Sequence, residues 1–213
     1  MYEDAFLQKY NNYKYVNSEK ELKKYYESYL ETFPDLNSEE LEFLESYLTI
    51  ETYEKKEFLF KSGEVQKEVA FVCKGLLRRY YINEKGNKIT TGFVSENNYA
   101  TDYPAFIRQI PSKYFIECLE PSVIIKLPYN KIQEGYKRYK TSEMYGRLIA
   151  EYVLTFQTDR VESFLFKNAE ERYLDFIEHN KDIINRISLS HLSTYLGIER
   201  QSLSRIRSKI AKR

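Results

Sequence analysis

The sequence of 213 residues contains no tryptophan, only two cysteines and only two histidines. Cys73 and Cys118 lie too far apart to form a metal-binding or redox motif, and they favour a reducing cytoplasm. No apolar run approaches the roughly 18 residues that a membrane span needs. The N-terminal stretch "MYEDAFLQKYNNYKYVNSEKELKK" is polar and mixed in charge, unlike a secretory signal. These absences predict a cytoplasmic protein that does not enter a membrane.

The sequence motifs of common catalytic sites are also missing. There is no HExxH motif, no GxSxG nucleophile elbow, no phosphate-binding P-loop and no nucleophile–base pattern. Neighbouring acids and bases such as Glu170, Glu171 and Arg172 are typical of a solvated helix surface. We therefore expect no catalytic residues, no metal site and no enzyme activity.

What the sequence does contain is a soluble globular composition with an uneven distribution of charge. Hydrophobic residues make up 42% and charged residues 31%, and the net charge is only +1. Residues 186–213 hold seven basic residues against the single acid Glu199, a net charge of +6, which leaves −5 for the rest of the chain. A basic segment on an acidic body predicts a module that binds a polyanion. The alternative is a solvated C-terminal helix with no ligand.

The N-terminal part of the chain favours two helices. Residues 18–32 form the first, in which Ser18 and Glu21 have the spacing of a capping box. The second begins near Ser38, which precedes acids that suit the positive end of a helix dipole. Pro34 separates the two helices.

Between residues 49 and 128 the pattern changes to short apolar runs separated by turn residues. Such runs predict strands of an antiparallel sandwich or barrel, because helices need longer periodic stretches. Pro128 ends this region, and a short helix weakened by Gly135 follows. The predicted strands contain the runs "EFLF", "VAFVC", "LLRRYYI", "KITTGFV", "YFIECL" and "SVIIKL".

The longest predicted helix spans residues 142–167 and carries a wide apolar stripe. One interpretation is that this stripe only packs against its own β domain. We favour a subunit interface, because an apolar stripe this wide, on a helix between two domains, is buried completely only if it packs against both its own chain and a second subunit. The predicted interface side chains are Tyr145, Leu148, Ile149, Tyr152, Val153 and Phe156.

The last part of the chain has the pattern of a helix-turn-helix. A helix after residue 168, with Asn168 as its cap, precedes a shorter helix capped by Ser188 or Ser190. Gly197 ends that helix, and a second helix with apolar residues on one side follows. The side chains that anchor this second helix are Leu203, Ile206 and Ile210.

The second helix of such a motif lies in the major groove of DNA. Arginine can bind guanine at two acceptors and glutamine can pair with adenine, whereas serine, arginine and lysine also hold phosphates. We therefore predict DNA binding, against the alternative of a helical hairpin that closes an enzyme domain. The predicted readers are Arg200, Gln201, Ser204 and Arg205, the predicted phosphate contacts are Arg207 and Lys209, and Ser188, Ser190 and His191 meet the DNA at the start of the first helix.

Taken together, these elements resemble the Crp–Fnr family of bacterial transcription regulators, and in particular its Bacteroidetes branch. The resemblance covers about residues 35–211, and it is carried by "FLFKSGEVQKEVAFVCKGLLRRYYINEKGNK", "NAEERYLDFI" and "HLSTYLGIERQSLSRIRSKI". It implies an α+β fold with N-terminal helices, an antiparallel β jelly-roll barrel, a long central dimerisation helix and a C-terminal winged helix-turn-helix domain. The implied ranges are 1–48 for the N-terminal helices, 49–140 for a cyclic-nucleotide-binding-like sensor domain, 141–167 for the dimerisation helix and 168–213 for the DNA-binding domain.

The family's effector sites transfer poorly to this sequence. Its nucleotide-binding members use a glycine-rich turn, a Glu and an Arg-Ser pair, whereas this chain has "ENNYATDYPAFIRQIPSKYF". Cyclic AMP binding is therefore not expected. Two scattered cysteines exclude an iron–sulfur cluster, and neither histidine lies in the β region, so no cofactor is expected. The resemblance places a degenerate effector pocket at Asn97, Asn98, Thr101, Asp102, Arg108, Ser112 and Lys113.

The resemblance implies a homodimer that binds palindromic double-stranded DNA, regulates transcription with RNA polymerase as a further partner, and senses an unidentified small molecule. Arg200 and Arg205 align with the family's two reading arginines, but Gln201 replaces a Glu. Because a carboxylate pairs with cytosine and glutamine with adenine, the operator should differ at that base. The alternative is a sensor module that acts through a protein partner and binds little specific DNA.

Overall fold

The computed structural model describes residues 23–25, 27–28 and 38–211. Residues 23–25 and 27–28 are helical, as predicted for the first helix. Its predicted capping residues, Ser18 and Glu21, lie outside the described residues. Helix α1 spans Ser38–Glu45 and starts at the predicted residue.

Eight strands occupy the predicted β region, from Thr49 to Pro128. Three short elements were not predicted: β1, β6 and helix α2 (Tyr103–Arg108), which connects β6 to β7. The strands are β1 (Thr49–Tyr53), β2 (Phe58–Phe60), β3 (Glu68–Lys74), β4 (Leu77–Ile82), β5 (Lys88–Val94), β6 (Tyr99–Ala100), β7 (Phe115–Cys118) and β8 (Ser122–Pro128).

The strands form two four-stranded antiparallel sheets with the orders β1-β8-β3-β6 and β2-β7-β4-β5. The sheets pack face to face, because alternate residues of each strand point inward and exclude water. Side chains from both sheets meet in one core, which includes Phe60, Val72, Leu77, Ile116 and Ile124. The predicted antiparallel jelly roll is therefore confirmed, as two facing sheets rather than a single closed barrel.

Helix α3 (Tyr129–Arg138) leads from the sheets into α4 (Lys140–Phe166), which has 27 residues. The carboxylate of Glu40, in α1, is fully buried and accepts hydrogen bonds from the hydroxyls of Thr141 and Ser142. These two hydrogen bonds join the first turn of α4 to α1, so they fix the start of the long helix against α1. No helix in the described part of the chain is long and apolar enough to cross a membrane.

The C-terminal unit consists of helices with the predicted caps. Asn168 and Glu171 form a capping box at the start of α5 (Ala169–His179). The Ser188 hydroxyl caps α6 (Leu189–Leu196), which ends at Gly197 with φ +65°. Helix α7 spans Arg200–Ile210, and Glu199 precedes it without a capping hydrogen bond from its side chain.

One part of the predicted fold needs correction. Between residues 168 and 211 the structure contains α-helices and one short 3-10 helix, Ile184–Arg186, but no strand. The predicted wing is therefore not present within these residues, whose last two α-helices form a helix-turn-helix. The C-terminal unit packs against the β domain through α6, which contacts the outer side of β5.

Candidate nucleic-acid interface

Helices α6 and α7 are held together by an apolar cluster. Leu192, Leu196 and Leu203 are almost completely buried and pack with Tyr173 and Phe176 of α5. Ile206 and Ile210 pack against the same cluster, which confirms the predicted anchoring side of α7. Burial of each such side chain stabilises the folded state by about 1.5–3 kcal/mol, so the opposite side of α7 is fixed in space.

The opposite side of α7 is free and polar. Arg200, Gln201, Ser204 and Arg205 are all exposed, and at 3.6 residues per turn the last three lie on one side of the helix. The Ser204 hydroxyl donates to the carbonyl of Arg200, so this donor is already engaged. Ser208 is exposed on the same side, four residues after Ser204, and sequence reasoning missed it although that spacing was visible.

The two predicted phosphate contacts differ in their surroundings. Arg207 is exposed and has no acidic partner among the described residues. Lys209 is also exposed, but its Nζ lies 2.6 Å from a carboxylate oxygen of Glu170 in α5. An exposed pair of this kind contributes little to stability, yet it lowers the net positive charge at that end of α7.

Of the three residues predicted at the start of α6, one lies elsewhere. Ser188 and Ser190 are exposed at the first turn. His191 shares a side of α6 with Thr194, whose hydroxyl lies 2.8 Å from the Thr90 hydroxyl of β5. The imidazole of His191 therefore faces the β domain, and its Nδ1 is buried without a hydrogen-bond partner. This placement corrects its predicted role at the DNA.

The position of His191 makes the domain contact sensitive to acid. Burial and then the charges of Arg78 and Lys88 lower the pKa of His191 to about 4. Since this folded-state pKa lies below the unfolded value of about 6.5, stability is fully present above pH 6.5 and is lost as the pH falls toward 4. The ring is partly exposed, which reduces the effect through solvent screening.

We expect the free energy of unfolding to fall between pH 7 and pH 5 by roughly 1 kcal/mol more in the unmodified protein than in His191→Gln. Glutamine is similar in size and does not titrate over this range. Urea denaturation of both proteins at the two pH values measures the difference. An identical pH dependence in the two proteins would show that His191 stays solvated in the folded state.

Charged side chains also join the helix-turn-helix to the β domain. The Arg186 guanidinium donates to both carboxylate oxygens of Glu96 at 2.9 and 3.0 Å, and it also donates to Glu120. Burial alone would raise the pKa of Glu96, but the hydrogen bonds from Arg186, two backbone hydrogen bonds and the charge of Arg186 together outweigh it and lower that pKa. Leu76, Phe93 and Leu119 of the β domain complete the apolar cluster beneath α5–α7. The contact therefore combines a bidentate ion pair with a shared core.

The predicted effector pocket contains a buried polar network that is satisfied internally. Asp102 accepts a hydrogen bond from the Ser112 hydroxyl at 2.8 Å. The Gln66 side-chain oxygen accepts from the Thr101 hydroxyl and from the backbone N–H of Asp102. Asp102 and Ser112 thus lie together, but they bond to each other, and neither side chain supplies the positive charge that would bind a phosphate.

The other predicted pocket residues lie apart from this network. Asn97 adopts φ +62° at a position where the resemblance implies glycine, which asparagine tolerates better than most residues. The Asn98 side chain donates to the carbonyl of Glu96. Arg108 is exposed and bonds the carbonyl of Pro104 in its own helix, and Lys113 is exposed. The structure therefore does not bring the predicted cations to the predicted carboxylate.

A groove of about 860 Å³ lies nearby, between the β domain, α4 and the helix-turn-helix unit. The predicted interface side chains of α4 all line this groove on their own chain, and their place at a second subunit stays a prediction. Among them, the Tyr145 hydroxyl lies 3.0 Å from the hydroxyl of Tyr99 in β6. Sequence reasoning also missed Arg79, the cation of β4 that borders the groove, because nothing in a strand pattern shows which basic residue is buried.

The other side of α4 carries a second apolar stripe. Leu154, Val161 and Leu165 are 69%, 58% and 71% exposed, and with Thr158 they follow alternating spacings of three and four residues. At 3.6 residues per turn this stripe lies opposite Tyr145 and the other groove-lining side chains. Such spacing is typical of a helix that packs against another helix.

Comparison with known proteins matches this architecture. Residues 50–139 match the cyclic nucleotide-binding domain family. The chain is 26% identical to electron transport regulator A of Shewanella oneidensis over 192 residues, 83% of this chain and 75% of that protein. It is 25% identical to the fumarate and nitrate reduction regulatory protein of Yersinia pestis, again over 192 residues that make up 83% of this chain and 75% of that protein. The fold is similar to that of a Crp/Fnr-family protein from Eubacterium rectale, with TM-score 0.66, 17% identity and coverage of 84% of this chain and 85% of the other.

Proposed function

Because the chain belongs to the Crp–Fnr family of transcription regulators, we propose that it binds a specific operator as a homodimer and that α7 reads the bases. The main support for this proposal is that α7 has one buried apolar side and one exposed polar side. One side is anchored by Leu203, Ile206 and Ile210, and the other presents exposed arginine, glutamine and serine side chains. A helix held in this way can enter a major groove without losing its own core contacts.

The proposed readers have distinct roles. Arg200 and Arg205 each present a planar fork of donors that fits the O6 and N7 acceptors of guanine. Gln201 lies between them in the sequence and suits the N6 and N7 atoms of adenine. Arg207, Ser188 and Ser190 hold backbone phosphates, which position the helix without reading sequence. We expect half-sites that contain both guanine and adenine at the positions facing α7.

The dimer places two such helices on one face of DNA. We propose that the stripe of Leu154, Val161 and Leu165 meets the same stripe of a second chain, because a twofold interface uses the same patch on both subunits. The groove on the opposite side of α4 then stays open. Operator half-sites one helical turn apart, about 34–36 Å, would match this symmetry.

Further partners follow from this function. A cytoplasmic regulator that binds promoter DNA acts by recruiting or blocking RNA polymerase.

The internally bonded network of Asp102, Ser112 and Gln66 argues against cyclic AMP as the effector. The described residues also contain no group of three or more histidine, cysteine, aspartate or glutamate side chains placed to hold a metal ion.

Selection of bound DNA from a random pool tests the proposal. We expect an inverted repeat, with affinity that falls steeply as salt rises because bound phosphates release counterions. The alternative, a sensor that acts through a protein partner, predicts that no sequence is enriched. A complete lack of DNA binding at low salt would rule out the proposed function.

A further inference from the structure

The C-terminal end of α6 is completed by two arginines from other helices. The last four carbonyl groups of an α-helix have no N–H partner within the helix. In α6, the first two of these accept hydrogen bonds from backbone N–H groups of the turn that follows. The last two accept from side chains: Arg160 of α4 donates to the carbonyl of Tyr195, and Arg172 of α5 donates to that of Leu196. Positive charge at this end also complements the helix dipole.

The ring of Phe164, in the last turn of α4, lies against both guanidinium groups. Its centroid is 4.3 Å from Cζ of Arg160 and 5.2 Å from Cζ of Arg172. Cζ of Arg160 also lies 3.8 Å from the centroid of the Tyr195 ring. A cation is attracted to the face of an aromatic ring, so these contacts hold the two arginines in place. We call Arg160, Phe164 and Arg172 the turn clamp.

The turn after α6 fits closely against the clamp because it contains glycine. Gly197 has φ +65°, and a Cβ added there would lie 2.7 Å from Cε1 of Phe164, closer than Cβ atoms come to other heavy atoms in proteins. The edge of the ring therefore lies directly on the backbone of the turn, and a side chain at this position would push the two apart. This contact joins the end of α4 to the turn that leads into α7.

The last two turns of α4 carry two different contact surfaces. Arg160 and Phe164 are each followed in sequence by a residue of the exposed apolar stripe, Val161 and Leu165. Consecutive residues of an α-helix point about 100° apart, so the clamp and the stripe face different sides of the same two turns. The proposed dimer contact and the contact with the helix-turn-helix therefore share one short helical segment.

The clamp bridges the link at which the DNA-binding unit would otherwise rotate. Only Lys167 and Asn168 separate α4 from α5, and each residue of a link has two soft dihedral angles. Arg172 reaches back across this link from α5 to Phe164, and Arg160 reaches from α4 to the end of α6. These contacts fix the orientation of α7 relative to α4 more tightly than the link alone would.

We propose that the turn clamp determines which spacing between half-sites the dimer accepts, without touching DNA. This inference rests on the proposed function, in which two α4 helices pair through their apolar stripes. Arg160, Phe164 and Arg172 are positioning residues, because they hold α7 at a fixed distance and angle from the twofold axis. One extra base pair moves a half-site by about 3.4 Å and rotates it by about 35°. A clamped dimer therefore rejects an operator whose half-sites are one base pair closer together or farther apart.

Binding to operators of changed spacing tests this role. Fluorescence anisotropy compares the operator selected from a random pool with duplexes that have one base pair added or removed between the half-sites. We expect the unmodified protein to bind the changed duplexes at least about tenfold more weakly. Arg160→Met together with Arg172→Met should reduce this difference to about threefold or less, because the hydrogen bonds and ring contacts that fix α7 are lost. The penalty for one substituted base pair within a half-site should stay the same, since α7 itself is unchanged.

Two further variants serve as controls. Arg138→Met, which removes an exposed arginine of α3, is the matched control and should keep the full spacing preference. Arg160→Lys together with Arg172→Lys should restore part of the preference, because lysine retains the charge and a donor but not the planar fork.

A loss of affinity that is equal for every spacing would mean that the clamp only stabilises the fold, and it would overturn the inference. Equal binding of all three spacings by the unmodified protein would overturn it as well. If the double methionine variant is unfolded by circular dichroism, Phe164→Ala, which leaves both arginines, is judged by the same criteria. A selection that enriches no sequence removes the proposed function and this inference with it, whereas an enriched inverted repeat with an unchanged spacing preference in the variants removes this inference alone.

Discussion

Alanine at both Arg200 and Arg205 is expected to remove specific operator binding. Each arginine that reads a guanine contributes about 1–3 kcal/mol of discrimination. A symmetric dimer carries each contact twice, so even one substitution should weaken the specific complex by about 2–6 kcal/mol, roughly 30-fold or more. The doubly substituted protein should bind the selected operator no better than random DNA. Fluorescence anisotropy with the selected operator and with a scrambled duplex measures this ratio.

Two other substitutions on the same helix separate base reading from phosphate contact. Arg207→Ala should weaken binding to both duplexes alike and reduce the dependence of affinity on salt. Lys209→Ala should have a smaller effect, because Lys209 is already paired with Glu170. If the Arg200 and Arg205 substitutions weakened all duplexes equally, those side chains would belong to the phosphate contacts, and α7 would not be the reading helix that we propose.

Glutamate in place of both Leu154 and Val161 is expected to convert the protein into monomers. These side chains form an apolar stripe with Leu165 on the free side of α4, and four carboxylates facing one another across a twofold interface would be buried without partners. Linked half-sites gain about 10²–10⁴-fold in affinity from being joined, so the monomer should lose at least about a hundredfold in operator binding. Sedimentation and fluorescence anisotropy measure the two effects.

The two sides of α4 can be distinguished directly. Tyr152→Glu places the same charge on the side that lines the groove, and Thr155→Glu places it on an exposed polar position between the two sides. We expect both proteins to remain dimers. A monomeric Tyr152→Glu protein together with a dimeric Leu154→Glu, Val161→Glu protein would assign the interface to the groove side, where sequence analysis predicted it.

Local patterns account for much of the agreement between sequence and structure. Ser188 and Asn168 cap helices where predicted, because their side chains satisfy N–H groups within three residues. Gly197 ends α6 in the left-handed conformation that glycine adopts without strain. Alternating apolar residues predicted most of the strands, and the i, i+3, i+7 spacing of Leu203, Ile206 and Ile210 predicted the buried side of α7.

The predictions that the structure did not bear out depend on contacts between distant parts of the chain or on the family resemblance alone. His191 could be placed on α6, but not against β5, because that contact joins residues about a hundred positions apart. The wing was expected only from the resemblance, and no strand pattern in residues 168–211 supported it. Asp102 and Ser112 were predicted together, yet Gln66, which completes their network, comes from a distant segment that carried no signal. Arg78 and Arg79 look alike in sequence, and only the sheet shows that they point to opposite faces.

Sequence determined those features of this protein that depend on neighbours within one or two turns: most of the strands, the helix caps, the helix-turn-helix and its anchored side. Hydrogen bonds and side-chain periodicity act over that range, so the sequence carries them directly. Tertiary structure decided which side of α4 faces the groove and which faces solvent, that His191 faces the β domain, and that Arg78 and Arg79 point to opposite faces of one sheet. These outcomes depend on how separate elements pack against one another. A side chain becomes buried only through that packing, and burial makes an unpaired charge cost free energy.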